Sequence, residues 1–491
     1  MKNIIKKEIF LVTLSFLLGF SVLNFTNYQG NLKADKTPIL SQGIYTMAQV
    51  SDHLWSPDGT QVAYIKSPNG ERFNCELWVA DISPSGLINH FLVSAEAEYD
   101  GLLDWKDDWI LFRIRHEFEA PASYYGRNEL WKIRADGTDI TQITFTYSNG
   151  IRTEWWNHVY DNRGTAFYGW FIPETDLVYF TAHDGNGWYM SFVCNDDGTD
   201  NWQHRSNPYM AFTVPLTPTG DKLLWGHASY WNAPTTLWAS EVDGTDKHII
   251  KAFSIRIWPL VLADWNTIIY HDPPPGDDIW AINMDGTIEW RVTNDNFINY
   301  WGNYNPLDEQ GLLMRSNRDP DGNMHIFKIK VDGTEIEQLT GGPYMDESPI
   351  LSPNGHYLSY LRLPYDFVKE GSSIPYPYEL VIKNLVVHAT VDFNPETLNQ
   401  KSKGKWVTVY IGLPDEYDVN DIDIDSIRLD GLSRADSSPT EISDDGILMV
   451  KFDRAAVIDL LEPGENVLIT ITGVLSNGLL FEGTDTISVI H

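Results

Sequence analysis

Cysteine is nearly missing from this chain, with only Cys75 and Cys194 among 491 residues. That excludes a disulfide-stapled scaffold and a cysteine-ligated zinc site. The two fall in different repeat units and read as free, buried thiols. Positive charge is scarce too: 35 Lys and Arg stand against 68 Asp and Glu, a formal net charge of −33. Such a chain cannot neutralise a phosphate backbone over a broad surface, so nucleic acid is excluded as a partner and anionic polysaccharide is disfavoured. Long apolar runs are limited to one, Ile9 to Leu23, which follows Lys2, Lys6 and Lys7. A basic start before an apolar stretch of this length reads as a secretory signal, short of the roughly 20 residues of a full span. No small-x-small cleavage site stands out, so an uncleaved anchor is the alternative and the one route to a membrane. Residues 1–30 are assigned to this segment. The remainder is expected to be exported, to the periplasm, the cell surface or the medium.

What the chain has in quantity is aromatic side chains, 13%, within a hydrophobic content of 43%. That is a globular composition. One pattern recurs: an apolar-aromatic run, a D-G turn, then a second short run. It reads ELWKIRADGTDITQIT at 129–144, TLWASEVDGTD at 236–246, DIWAINMDGTIEWRVT at 278–293 and HIFKIKVDGTEIEQLT at 325–340. It also reads ELWVADISPSG at 76–86 and WYMSFVCNDDGTD at 188–200, and YELVIKNLV at 378–386 is a degenerate seventh. The turn glycines are Gly86, Gly137, Gly198, Gly244, Gly286 and Gly333. A D-G pair between alternating runs signals a hairpin, because the turn needs a positive φ that glycine tolerates. A second hairpin precedes each of these, as in LWSPDGTQVAYI at 54–65 and LSPNGHYLSYL at 351–361. Each unit therefore carries four short strands, A to D. Units of this size that cannot bury their own faces predict a β-propeller over 31–385. Seven blades are counted, with six as the alternative, and GIYTMAQV (43–50) is expected to close the ring as an outer strand of the last unit.

The motifs LWSPDGTQVAY and DPDGNMHIFKIKVDGTEIEQLT resemble the TolB-like propeller repeat, over roughly residues 45–385. The resemblance implies a propeller and leaves function open, since such propellers serve as scaffolds, receptors and enzyme domains. Beyond residue 386 only one tryptophan remains, Trp406, and alternating runs such as KWVTVYIG and NVLITITGVL predict an antiparallel, immunoglobulin-like β-sandwich over 386–491. The stretch VDFNPETLNQKSKGKWVTVYIGLP resembles an accessory module of secreted bacterial and archaeal proteins, which implies attachment or display. The fold class is thus all-β.

Chain direction separates two faces. The A–B and C–D turns are tight and polar, whereas the B–C and D–A connections are long and aromatic. The inserts place Trp155, Trp156, His158, Trp231, Tyr300 and Trp301 on the connection face, where loops on a rigid scaffold bind partners. Packing of the inserts against their own blades is the competing reading. A second set, His183, His227, His271 and Arg315 with Arg362, falls at the exits of B strands. The histidines are candidate ligands for a divalent cation, or caps of their own loops. Arg315, Arg318 and Arg362 are candidates to grip a carboxylate, with Arg318 read mainly as a solvated loop charge. DPDGN (319–323) looks like a fragment of a calcium loop but reads as a turn, and Asp421, Asp423 and Asp425 read as a solvated strand face.

No G-x-S-x-G elbow, P-loop or dinucleotide fingerprint is present. This sets the chain apart from prolyl oligopeptidases, whose propeller is joined to an α/β-hydrolase domain. The expectation is a non-enzymatic binding or scaffold protein, with no catalytic residue and no cofactor, engaging a protein or neutral glycan through the aromatic face. The alternative is a propeller-type polysaccharide lyase or other hydrolytic enzyme with a His-bound divalent metal. WGHASYWNAPTTLWASEVDG resembles such lyases in carrying a His at a B-strand exit.

Overall fold

The computed structural model describes residues 44–68, 75–83, 86–98, 101–116, 127–144, 165–183, 189–199, 202–203, 210–215, 222–227, 234–254, 257, 259–261, 266–271, 278–305, 308–364, 378–414, 417–443, 445–476 and 479–491. The repeat units fold into seven four-stranded antiparallel sheets, the blades. Their A strands are Val50–Trp55, Leu102–Lys106, Thr165–Phe171, Met210–Pro215, Pro259–Val261, Asn299–Asn305 and Tyr344–Leu351. Each blade touches the next, and blade 1 meets blade 7, so the series closes into a ring.

The B strands show why the ring forms. In Gln61–Lys66 the four central residues Val62, Ala63, Tyr64 and Ile65 are all buried, and Tyr357–Pro364 is buried over seven consecutive positions. A strand covered on one face alternates in burial; a continuous buried run needs cover on both faces. The cover comes from neighbouring blades. Leu77 and Val79 of blade 1 share a core with Ile110 and Phe112 of blade 2, and Ile269 and Ala281 of blade 5 share one with Leu312 and Phe327 of blade 6. Cys75 and Cys194 are buried in separate cores and are not joined in a disulfide, as expected.

The end of the series is secured by the chain's beginning. Strand Ile44–Ala48 pairs antiparallel with Glu379–Asn384 and becomes the outer strand of blade 7, the role expected for residues 43–50. Across the same seam the Trp55 indole Nε1 donates to Ser359 Oγ at 2.8 Å, and its ring stacks on Tyr357 with centroids 5.8 Å apart.

The D-G-T turns are alike in detail. Asp136, Asp197, Asp243, Asp285 and Asp332 each accept, through Oδ1, the amide and the hydroxyl of the threonine two residues on. The glycine between them has φ of 73–87°. These glycines also lie against the preceding blade: a Cβ on Gly333 would stand 2.7 Å from the Val292 carbonyl oxygen, and one on Gly286 would meet that of Ile250. Gly86 differs from the expectation. It opens the strand Gly86–Ala97 and pairs with Ser83, because its segment lacks the Asp that builds the other turns.

Blade 7 runs through Leu385, whose amide donates to His356 O at 2.7 Å, into a second architecture. A sheet of Trp406–Gly412 with its partners faces a six-stranded sheet around Gly464–Leu475 and Leu480–Ile490. Phe393, Val409, Phe452, Ile469 and Phe481 fill the one core between them. The pairing is not antiparallel throughout, as the alternating runs led us to expect. Val386–His388 and Thr397–Asn399 both lie parallel to Leu480–Ile490. Alternating burial is common to both strand directions, so the runs could not distinguish them.

Gly333→Ala and Gly446→Ala separate the two demands on a turn glycine. Gly446, at φ 72°, has nothing within 4 Å of the position a Cβ would take, so alanine there costs only the left-handed conformation, about 1–2 kcal/mol. Gly333→Ala meets the Val292 carbonyl as well, and denaturant unfolding should show the larger loss; equal losses would contradict the blade-to-blade contact.

Candidate functional site

The connection face is defined by the starts of A and C strands and the ends of B and D strands. Among the candidate residues described with their side chains, three meet: His271, Tyr300 and Arg315. His271 ends the blade 5 strand Thr267–His271; Tyr300 is the second residue of the blade 6 strand Asn299–Asn305 and pairs in register with Arg315. The His271 ring stands edge-on to Tyr300 with centroids 5.6 Å apart, and the Arg315 guanidinium lies over Tyr300 at 5.5 Å. Arg315 then bridges to blade 7, its Nη1 2.9 Å from Glu347 Oε2. One row of side chains thus links three blades.

The electrostatics follow from burial. His271 is pushed down to about 4, first by desolvation and then by the Arg315 charge, so it is neutral at physiological pH. Glu347 is raised above the usual carboxylate range: loss of water outweighs Arg315, which acts in the opposite direction. The pair therefore fixes geometry more than it adds stability.

The other arginines of this face are likewise held from within. Arg362 binds Asp346 through two nitrogens, at 2.7 and 3.2 Å, between the rings of Tyr344 and Tyr360. Arg318 was expected to be a solvated loop charge and is not. It is packed between Phe297 and Phe327, donates to Asp295 Oδ2 at 3.1 Å and to Asn299 Oδ1 at 2.9 Å, and is mostly buried. The planar guanidinium can stack and donate at once, which lets a loop charge serve as core. The three arginines offered as a carboxylate grip each carry a carboxylate already.

His183 and His227 end the corresponding B strands of blades 3 and 4, Leu177–His183 and Lys222–His227, and Trp301 lies in the A strand of blade 6; their side chains fall outside the described residues. Trp155, Trp156, His158 and Trp231 lie outside them altogether. Asp425 pairs with Arg434 at 2.7 Å, Asp423 accepts the Asp425 amide at 3.0 Å and Asp421 accepts from Ser476, so all three members of the acidic run have local partners.

Sequence reasoning missed two features. Glu347 and Asp346, adjacent at the start of the blade 7 A strand, anchor Arg315 and Arg362; the signal was a pair of acids, DE, where the other A strands carry none together. A pair of buried acids that join neighbouring blades was also missed. Asp52 accepts the Leu102 amide at 2.9 Å and Asp104 the Phe171 amide at 2.8 Å, each reaching the next blade. Desolvation raises them to about 7 and about 6, against the backbone donors that stabilise the anion. Burial first, and then the Asp104 charge, push the Tyr304 phenol up.

No family model matches the chain. The uncharacterized protein Atu1656 of Agrobacterium fabrum is 30% identical over 89 residues, 18% of this chain and 29% of that protein. The chain thus spans under a third of that relative's length. Among solved structures, similar ones include the propeller domain of the Trilobed protease from Pyrococcus furiosus, at 10% identity and TM-score 0.45, covering 68% of this chain and 93% of that one. An oligogalacturonate lyase from Vibrio parahaemolyticus gives 8% identity and TM-score 0.45 over 70% and 97%. A candidate TolB from Agrobacterium tumefaciens gives 17% and 0.30 over 38% and 67%. These neighbours include a β-propeller domain and a TolB candidate, and no activity is carried over from them.

Two measurements follow from the Arg315 row. Arg315→Met strands the buried Glu347 and is expected to cost about 3–5 kcal/mol in denaturant unfolding, most of it recovered in the Arg315→Met/Glu347→Leu double variant; independent, additive losses would mean that the two do not act as a pair. Because the folded-state value of His271 is lowered, its neutral form contributes stability fully above pH 6.5, and that contribution fades as pH falls toward about 4. Nitrogen-15 NMR of the imidazole should find it neutral at pH 6.

Proposed function

We propose that this chain is an exported, non-enzymatic binding protein that docks a protein or neutral glycan on the connection face of blades 5 to 7. The observation that carries this reading is the His271–Tyr300–Arg315–Glu347 row, a half-exposed aromatic ring held between a neutral imidazole and a paired guanidinium. Such a ring is fixed before a ligand arrives, so little ordering entropy is lost on contact, and an aromatic face with flanking dipoles suits a sugar ring or a peptide side chain. Arg315, Arg318 and Arg362 are neutralised from within, and a uronate would have to displace an ion-paired carboxylate to reach any of them. That weighs against a lyase acting on an acidic polysaccharide at this face.

A glycan and peptide array probed with the full chain tests the reading. Binders found there should lose about tenfold or more in affinity with Tyr300→Ala, the scale of one aromatic anchor. Binders that tolerate Tyr300→Ala, or cleavage of an arrayed glycan by the wild-type chain, would sink it.

A further inference from the structure

The B–C turn of blade 6 reads Asp319-Pro320-Asp321-Gly322-Asn323-Met324-His325, with a donor-bearing side chain at every second position. The turn is tight: Gly322 N donates to Asp319 O at 2.8 Å, and Gly322 takes φ 75°. It brings one ligand atom each of Asp319, Asp321 and His325 within 4.8 Å of one another. Two carboxylates in a turn would signify little. The imidazole is the second observation. His325 is fully buried (0% exposed), its Nδ1 is 3.1 Å from Asp346 Oδ2, and its Nε2 has no hydrogen-bond partner among the described residues. That Nε2 points at the turn, 3.6 Å from Asp321 Oδ2, too long for a hydrogen bond and right for two ligands of one ion.

We propose that Asp319, Asp321 and His325 form a site for a first-row divalent cation of the Mn²⁺ to Zn²⁺ series. The outer partners are those such a site needs. Asp346 accepts a hydrogen bond from Nδ1–H, which keeps the proton on that nitrogen and leaves the Nε2 lone pair for the metal, as carboxylates behind metal-bound histidines do. Gln338 Nε2 donates to Asp319, and Asn323 holds Asp321 by two donors, each at 2.8 Å, while its own buried Oδ1 has no partner among the described residues. The nitrogen ligand selects a transition metal over Ca²⁺, which takes oxygen. The site ties blade 6 to blade 7, because Asp346 belongs to the A strand of blade 7 and is also clamped by Arg362. The occupant that competes is a proton: burial opposes a charge on His325, but Asp346, Asp321 and Asp319 together outweigh it and raise its pKa.

The test is Mn²⁺ titration of chelator-treated full chain at physiological salt, followed by pulsed electron paramagnetic resonance. One saturable site with nitrogen-14 modulation from a single imidazole is expected. Asp321→Asn, on the exposed turn, should weaken it by about tenfold or more, the scale on which even outer partners register. His325→Gln should abolish the nitrogen signal, and Asp425→Asn, on the sandwich, should change nothing. Binding without nitrogen modulation, or indifferent to Asp321→Asn, would be diffuse attraction to an acidic surface and would overturn the proposal. So would no saturable binding, which leaves His325 to its proton.

Discussion

The middle strands of this chain are apolar on both faces, and everything else follows from that. A strand such as Gln61–Lys66 or Tyr357–Pro364 leaves no side for water, so each blade must be covered by one on either flank. A row of such blades has two uncovered ends, and each end would expose the equivalent of half a core. Closing the row removes both at once. The first blade lays Trp55 against Tyr357 and Ser359 of the last, and strand Ile44–Ala48 completes the last blade from the other end of the chain. The polar residues of the seam are correspondingly specific. A buried indole N–H without an acceptor would cost about 1–3 kcal/mol, so Ser359 at that point decides the register of closure.

The fold was legible in the sequence because it is built from local, repeated signals. D-G-T turns name their own geometry: the Asp carboxylate can reach the threonine amide and hydroxyl, and only glycine sits comfortably between them. Runs such as VAYI and LLM gave away the strands buried on both faces. The site was legible only in part. That His271, Tyr300 and Arg315 share a face follows from chain direction. That they touch depends on which blades are adjacent and how far each A strand is displaced by its bulge, as between Trp301 and Asn303. Arg318 shows the limit most clearly. Charge and loop position made it look solvated, but Phe297 and Asp295 of the preceding connection and Phe327 of the strand His325–Lys330 come together only once blade 6 has folded. The parallel strands of the last module were illegible for a similar reason, since alternation marks a strand and carries no direction.

Burial also decides what the ion pairs of this face do. Glu347 sits above its ordinary range despite a guanidinium 2.9 Å away, so the cost of drying the carboxylate exceeds what the partner returns. Such a pair contributes little net stability, yet removing one member leaves an unpaired buried charge. The row is therefore stiff without being strongly stabilising.

The chain's net charge of −33 does not by itself choose a ligand at this face. At physiological salt the field of an exposed carboxylate decays over about 8 Å, so most of the 68 acids are invisible to any one site. What counts is the local balance. Around Tyr300 each cation is matched by an acid within 3.1 Å, and the surface there is close to neutral. One turn away the balance breaks: Asp319 and Asp321 stand together beside a histidine whose other nitrogen is already committed to Asp346, which shares its remaining charge with Arg362. The same blade thus presents a neutral aromatic patch and a concentrated negative pole with a nitrogen donor at its base. A neutral partner and a cation are complementary to these two neighbours, and an anion is complementary to neither.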